Sequence, residues 1–283
     1  MIEIRPTDTS AEGLEAAAAL LQRRFPRAAQ VSAAYLAWTY RDNPEGQACA
    51  WDAWDGARLV AHVSATPMRG RIEGSEERAL LIQHVATESG FEGRGLFKAL
   101  VERALAEGAG RGFGHAIGIA NANSRFALAE RLGFQMFRPL DVRIGVGASP
   151  EPRRSSPASW ERVWDPRTLA WRLARPDRPY RAVVRRGRAH VLCASGYPGI
   201  LADLGAHPAD ALPGGLPPPR GSALLRVWIG LDPDLDWHGR AYAALPPALR
   251  PAPLHFMFRD LRSEGRSPDG ARLRVAALDF DAY

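Results

Sequence analysis

Apolar residues recur along this 283-residue chain at two periods. Leu96, Phe97, Leu100, Val101, Ala104 and Leu105 share one face at helical spacing and predict an amphipathic helix to about Gly108. The apolar run Glu77 to Ala86 before it predicts a strand, and the loop between holds Gly90, Gly93 and Gly95. Upstream, Ile2 to Arg5 reads as a strand, Ala11 to Phe25 as a helix capped by Thr9 or Ser10, and Ala33 to Tyr40 as a helix stopped by Asn43-Pro44-Glu45-Gly46. Cys49 to Trp54 and Arg58 to Met68 read as a hairpin around Asp55-Gly56. Downstream come a strand from Ala116 to Ala120, a short helix from Ser124, and strands over Phe134 to Arg138 and Asp141 to Val146. Residues 1–147 thus read as a mixed α/β (α+β) domain around one central sheet.

Gly147 to Pro157 has the composition of an exposed linker, which places a boundary at 148–158 and a second domain at 159–283. Leu36-Ala37-Trp38 recurs as Leu169-Ala170-Trp171, each at the end of a short helical pattern that meets a proline and leads to two strand-like runs. In the second half these are Tyr180 to Val184 and His190 to Ser195, with further strands at Leu224 to Gly230, Leu254 to Arg259 and Leu273 to Phe280. The second domain reads as a degenerate copy of the first that lacks its glycine loop, or else as an unrelated α+β domain.

Strand, glycine loop and helix start together offer backbone N–H groups and a positive helix end to a phosphate. Gly95-Leu96-Phe97 is not the Gly-Lys-Ser/Thr of a triphosphate loop, and Lys98 stands where a dinucleotide fingerprint needs its third glycine. The segment resembles the acyl-CoA-binding motif of the GNAT superfamily of N-acetyltransferases, Val-x-Pro-x-x-Arg-Gly-x-Gly-Ile/Leu-Gly/Ala. Thr87 stands at the Val, Ser89 at the Pro, Glu92 at the Arg, Gly93 and Gly95 at the glycines and Phe97 at the small residue. Glu92 and Phe97 depart from the pattern. Asn121-Ala122-Asn123-Ser124 and Arg131-Leu132-Gly133-Phe134 resemble the second half of the family signature, and also read as a helix cap and helix end.

The resemblance implies a two-lobed (tandem) bacterial member with a complete N-terminal lobe of the acyl-CoA N-acyltransferase fold. It implies an acetyltransferase that moves the acyl group directly to an amine, without a covalent intermediate. Acetyl-CoA would bind through Val85, Ala86, Thr87, Glu92, Gly93, Arg94, Gly95, Leu96, Phe97, Asn121 and Ser124, with its pantetheine arm between two parted strands. The family's base positions hold Gln83 and Leu81, and its tyrosine acid position holds Ala129. Gln83 and Ser124 are therefore the catalytic candidates, Gln83 ordering a water and Ser124 donating to the sulfur or only capping its helix. Strand alternation aims His84 away from Gln83, and Glu88 reads as solvent-facing. Asp279, Asp281 and Tyr283, on an expected final strand, offer an alternative base, as a C-terminal carboxylate does in some two-lobed relatives.

Composition narrows the partners. The net charge is +6, yet 36 of the 37 basic residues are arginine, scattered without aromatic interleaving. That speaks for coding bias and some attraction for CoA phosphates rather than for nucleic acid. Cys49 and Cys193 give neither a disulfide framework nor metal spacing, so no metal is expected and a cytoplasmic setting fits. No run is long and apolar enough for a membrane span. Trp38, Tyr40, Trp51, Trp54, Trp160, Trp164 and Trp171 are candidates for walls of an inter-lobe pocket. The expected acceptor is a small primary amine, first an amino sugar of a cell-surface pathway, with aminoglycosides and protein amines behind. A non-catalytic CoA-binding scaffold, a longer acyl chain and a homodimer stay open.

Overall fold

The computed structural model describes residues 1–25, 31–122, 124–153, 156–214, 216–218, 225–246, 250 and 253–281. Strands β1 (Ile2–Pro6), β2 (Cys49–Asp55), β3 (Arg58–Ile72) and β4 (Ser75–Thr87) pair antiparallel in that order, and β4 then pairs parallel with β5 (His115–Ala120). Helices α1 (Ala11–Arg24) and α2 (Ala33–Tyr40) bury Leu14, Leu21 and Leu36 with Ala50, Leu59 and Ala86 on one face of this sheet. Helix α3 (Leu96–Gly110) covers the other face, placing Leu100, Val101 and Ala104 with Val63, Leu80 and Ile82. Gly108 allows that approach, because a Cβ there would meet Leu80 Cδ1 at 2.3 Å.

The halves exchange a strand. β6 (Gln135–Pro139) and β7 (Asp141–Val146) are separated by Leu140 alone, too little chain for a two-residue hairpin loop. β14 (His255–Asp260) lies antiparallel between β5 and β6, while β7 pairs with β12 (Leu225–Leu231) and β13 (Tyr242–Ala244). The sequence boundary at 147 therefore does not divide the sheet. Within 148–158 Ser149, Pro150 and Ala158 are buried, while Arg153, Ser156 and Pro157 are exposed.

The second half repeats the topology of the first. β9 (Arg181–Arg185), β10 (Arg188–Ala194) and β11 (Ile200–Pro208) pair antiparallel. β11 runs parallel to β12 from Ile200/Leu225 to Asp203/Trp228, as β4 does to β5 from Ala79/His115 to Ile82/Gly118. A bulge follows in each case, between His190 and Leu192 and between His62 and Ser64. The repeated Leu-Ala-Trp lies in α2 and in α4 (Pro166–Leu173), and the Trp38 and Trp171 rings stack 4.3 Å apart where the lobes meet. Among the described residues, a single 3₁₀ turn over Ala209–Ala211 stands where the first lobe has α3.

Three strands were not expected from the sequence: β8 (Trp160–Arg162), β11 and β13. The expected strand Leu273 to Phe280 is β15 (Leu273–Ala276) followed by a 3₁₀ turn over Ala277–Phe280, so Asp279 and Asp281 are not on a strand. Tyr283 lies outside the described residues. One core cluster holds Leu81 and Ile117 of the first lobe with Leu169, Leu173 and Leu278 of the second, fixing the lobes against each other. All the strands among the described residues belong to one 15-stranded sheet.

Candidate active site

Beyond Thr87 the chain turns through Gly90, Gly93 and Gly95 at φ 83°, 76° and 77°. A Cβ at any of them would meet nothing within 4 Å, so left-handed backbone rather than crowding calls for glycine. Gly95 caps α3 without any side-chain hydrogen bond, which leaves the first-turn N–H groups of a 15-residue helix to an anion. Leu96 is buried, and Phe97 is half-buried on the α3 core, so its bulk is turned into packing rather than into the loop. Arg94 donates to the Gly90 carbonyl at 2.9 Å and braces the turn.

Glu92, at the position where the family has Arg, accepts from Gly90 N–H at 2.8 Å and from Arg24 at 2.9 Å. Its carboxylate thus holds the Gly90 N–H and one Arg24 donor at the mouth of the loop. Glu92→Gln should tighten acetyl-CoA binding about three- to tenfold in calorimetric titration, since a like charge at the mouth is removed and Arg24 is released. An unchanged or weaker affinity would show that Glu92 faces away from the bound phosphates. Glu88, expected to face solvent, is 6% exposed and ion-paired to Arg23 and Arg58. Its backbone N–H closes onto the Val60 carbonyl, which draws the side chain in under α1.

Pairing between β4 and β5 ends at Ile82/Gly118, although β4 continues to Thr87 and β5 to Ala120. The parted strands leave a slot flanked by Val85, Ala86 and Thr87, directly beside the glycine loop. Asn121 and Ser124 lie past the end of β5, where Ser124 Oγ accepts from Asn121 N–H at 3.2 Å and Asn121 Oδ1 from Ser124 N–H at 3.3 Å. Ser124 is a reciprocal cap, its hydroxyl also donating to Asn121 Oδ1 at 3.3 Å. Ala129 is half-buried on the α3 core within a π-helical turn, Ala127–Arg131.

The β4 bulge changes the chemistry of the site. Ser64 pairs with Gln83 and His62 with Ala86, so His84 and Val85 together oppose Val63, and His84 takes φ 51°. The extra residue breaks the alternation and brings His84 to the face it shares with Ser64, against the expectation from strand period. His84 Nδ1 lies 3.0 Å from the Tyr40 hydroxyl and Nε2 lies 3.0 Å from the Tyr35 hydroxyl. Tyr40 continues to His62 Nε2 at 2.8 Å, and His62 Nδ1 to Asp52 Oδ1 at 2.7 Å. At the other end Tyr35 donates to Asp281 Oδ2, whose Oδ1 is held by Arg172 and Arg175. A buried chain Asp52–His62–Tyr40–His84–Tyr35–Asp281 results, reaching from the first lobe into the second.

Burial lowers His84 to about 3, outweighing the pull of Asp281 toward its charged form. Burial also opposes ionisation of Asp281, but Arg172 and Arg175 hold its carboxyl down at about 2. Burial raises both tyrosines, Tyr35 further through Asp281. Near neutral pH Asp281 is ionised and His84 neutral, so both neighbours of the Tyr35 hydroxyl can accept its one proton. The chain can relay a proton between the lobes without holding an extra one. The low His84 value also sets a pH dependence. Near neutral pH His84 is neutral folded and unfolded; below about 6.5 the unfolded chain takes up a proton that the folded one refuses. Stability should therefore fall from about pH 6.5 down to about pH 3, by the order of 4 kcal/mol in all. In urea titrations His84→Gln should flatten that slope, and an equal slope in both proteins would refute the assignment.

Gln83 donates to Thr66 Oγ1 and lines a narrow inter-lobe cavity of about 20 Å³ together with Asp281, Trp38, Trp171 and Arg172. That is room for about one water. Gln83 and the Asp281 carboxylate thus share one crevice, whereas Ser124 is built into the capping turn. Of the candidate wall aromatics, Trp38 and Trp171 line this crevice and Tyr40 enters the chain. Trp51 bonds Glu107 beside α3, Trp54 packs on Arg5, Trp160 bonds His115 in the core, and Trp164 bonds Asp279 in the second lobe.

Residues 3–137 match the acetyltransferase (GNAT) domain family. Among solved structures, similarity extends over 92% of this chain. A conserved protein of Enterococcus faecalis V583, described as a probable N-acyltransferase, aligns at TM-score 0.62 and 14% identity over 73% of its own length. A GCN5-related N-acetyltransferase from Kribbella flavida aligns at 0.61 and 16% over 72%. Eis1 from Mycobacterium abscessus aligns at 0.53 and 15% over 74%. No curated protein matches the sequence significantly.

Proposed function

We propose that this chain, whose residues 3–137 match the acetyltransferase (GNAT) domain family, acylates the primary amine of a small molecule, first an amino sugar, from acetyl-CoA. The observation that carries this reading is the slot between β4 and β5, which opens beside the uncapped α3 and ends at the His84 bulge. The pyrophosphate takes the N–H groups at Gly93 to Leu96, the pantetheine arm takes the exposed edges of Val85 to Thr87, and the thioester lies next to Gln83 and His84.

The acceptor enters from the inter-lobe crevice as an ammonium, drawn by the Asp281 carboxylate. Its proton is relayed past the Asp281 carboxylate to solvent, since Asp281, held at about 2 by Arg172 and Arg175, does not retain it. The freed nitrogen lone pair forms the C–N bond at the thioester carbon. The C–S bond then breaks, and the second proton that the attacking nitrogen loses on becoming an amide passes to the thiolate, which leaves as the thiol.

Steady-state turnover of acetyl-CoA with a panel of amino sugars, aminoglycosides and peptide N-termini tests the reading. Faster thiol release with an amino sugar than with the other classes supports it. Binding of acetyl-CoA without turnover on any amine would replace it with the scaffold reading, which the tightness of the crevice and the Ala129 substitution favour. A preference for longer acyl-CoA would revise the donor.

A further inference from the structure

The second lobe contains a cavity of about 390 Å³, within the roughly 300–1,000 Å³ of small-molecule sites. It is bounded by Gly205–Pro208 of β11 beyond that strand's last pair with β12, by Trp228, and by β8 and β15. It therefore lies where β11 and β12 part, the place that corresponds in the first lobe to the slot between β4 and β5. No helix follows β11 among the described residues, so nothing here repeats the phosphate loop, and the space suits a molecule smaller than CoA.

The chemistry of the wall centres on Arg162. Its guanidinium lies 3.8 Å over the Trp164 ring and donates to the Asp279 carbonyl at 2.7 Å. Its Nε is buried and makes no hydrogen bond among the described residues. Two neighbouring cations are neutralised, since Arg71 and Arg274 both pair with Glu161. No carboxylate is within ion-pair distance of Arg162 among the described residues; that of Asp279 accepts from Trp164 Nε1 and from Ala276 N–H instead. Burial lowers Arg162 to about 10, as expected of a cation without a close counter-charge.

We propose that this cavity binds a small organic carboxylate with a flat apolar body, the carboxylate on Arg162 and the body alongside Trp164 and Trp228. A planar guanidinium fork suits a carboxylate, and the Glu161 and Asp279 carboxylates in the same wall disfavour a phosphate dianion more than a monoanion. The site is separate from the acyl-CoA slot, and its occupant is neither donor nor product of the transfer.

Indole-3-acetate, its neutral counterpart indole-3-acetamide and inorganic phosphate serve as probes, titrated into the full chain by calorimetry. The acid should bind at least tenfold more tightly than the amide, and phosphate should not compete. Arg162→Gln should erase the difference between acid and amide. Arg162 also borders the inter-lobe crevice, so two variants locate the ligand: Ala206→Leu narrows the cavity alone and should weaken binding tenfold or more, while Gln83→Ala alters the crevice alone and should leave it unchanged. Equal affinity for acid and amide, competition by phosphate, or sensitivity to Gln83→Ala rather than Ala206→Leu would each overturn the proposal. The acid–amide comparison needs no variant, so a failure of Arg162→Gln to fold leaves the test intact.

Discussion

Gly93→Asp and Gly95→Asp are expected to reduce acetyl-CoA binding about a thousandfold in calorimetric titration while the proteins stay folded. Both glycines sit at left-handed φ, 76° and 77°, where an L-residue loses about 1–2 kcal/mol. Aspartate tolerates that region better than most residues, so strain alone does not explain a loss of binding. The main effect is charge. A carboxylate about 4 Å from a phosphate interacts by roughly 4 kcal/mol at an effective dielectric of 20, near three factors of ten in affinity. Gly112→Asp is the control, since Gly112 has φ 79° and open space around it but lies at the opposite end of α3. It carries the same strain without facing the ligand. Equal affinity in all three variants and the wild type would mean that the glycine loop is only a turn. Loss in Gly112→Asp as well would assign the effect to folding.

This loop was legible in the sequence because its determinants are local. Positive φ calls for glycine, a buried helix face calls for a 3.6-residue period, and both can be read within a few residues of Gly93. The duplicated lobe was legible through Leu36-Ala37-Trp38 and Leu169-Ala170-Trp171, whose tryptophans turn out to stack on each other. What escaped is non-local. The exchange of β7 and β14 joins strands far apart in the chain, from Val146 with Leu225 to His115 with Asp260, and the composition around 148–158 resembles a linker whether or not it packs. β8 and β13, at three residues each, are too short to show alternation, and β11 contains Gly205 and Pro208. The site suffered from the same limit. Period-two alternation aims His84 away from Gln83, and only the extra residue in β4 brings it round. The single local hint is that no residue type forbids a bulge there; its presence is decided by the pairing with β3. Asp281 was visible as a carboxylate near the end of the sequence, but its Tyr35 and arginine partners belong to the tertiary structure.

Asp281→Asn and Tyr35→Phe separate a catalytic chain from a merely structural one. Asp281→Asn leaves Arg172 and Arg175, both nearly buried, without their shared counter-charge, and breaking such a pair costs about 3–5 kcal/mol. The charge is also the end of the proton-relaying chain, so turnover per folded molecule should fall about a hundredfold or more. The KM for acetyl-CoA should stay close to wild type, because the glycine loop is untouched. Tyr35→Phe retains both ion pairs and removes only the hydroxyl that links Asp281 to His84. Its stability loss should be about 1 kcal/mol, yet its kcat should fall nearly as far as that of Asp281→Asn. The two losses should not add, since either change breaks the same chain. Additive effects, or a Tyr35→Phe protein that turns over normally, would leave Asp281 as an anchor for the second lobe and return the search for the base to water ordered by Gln83.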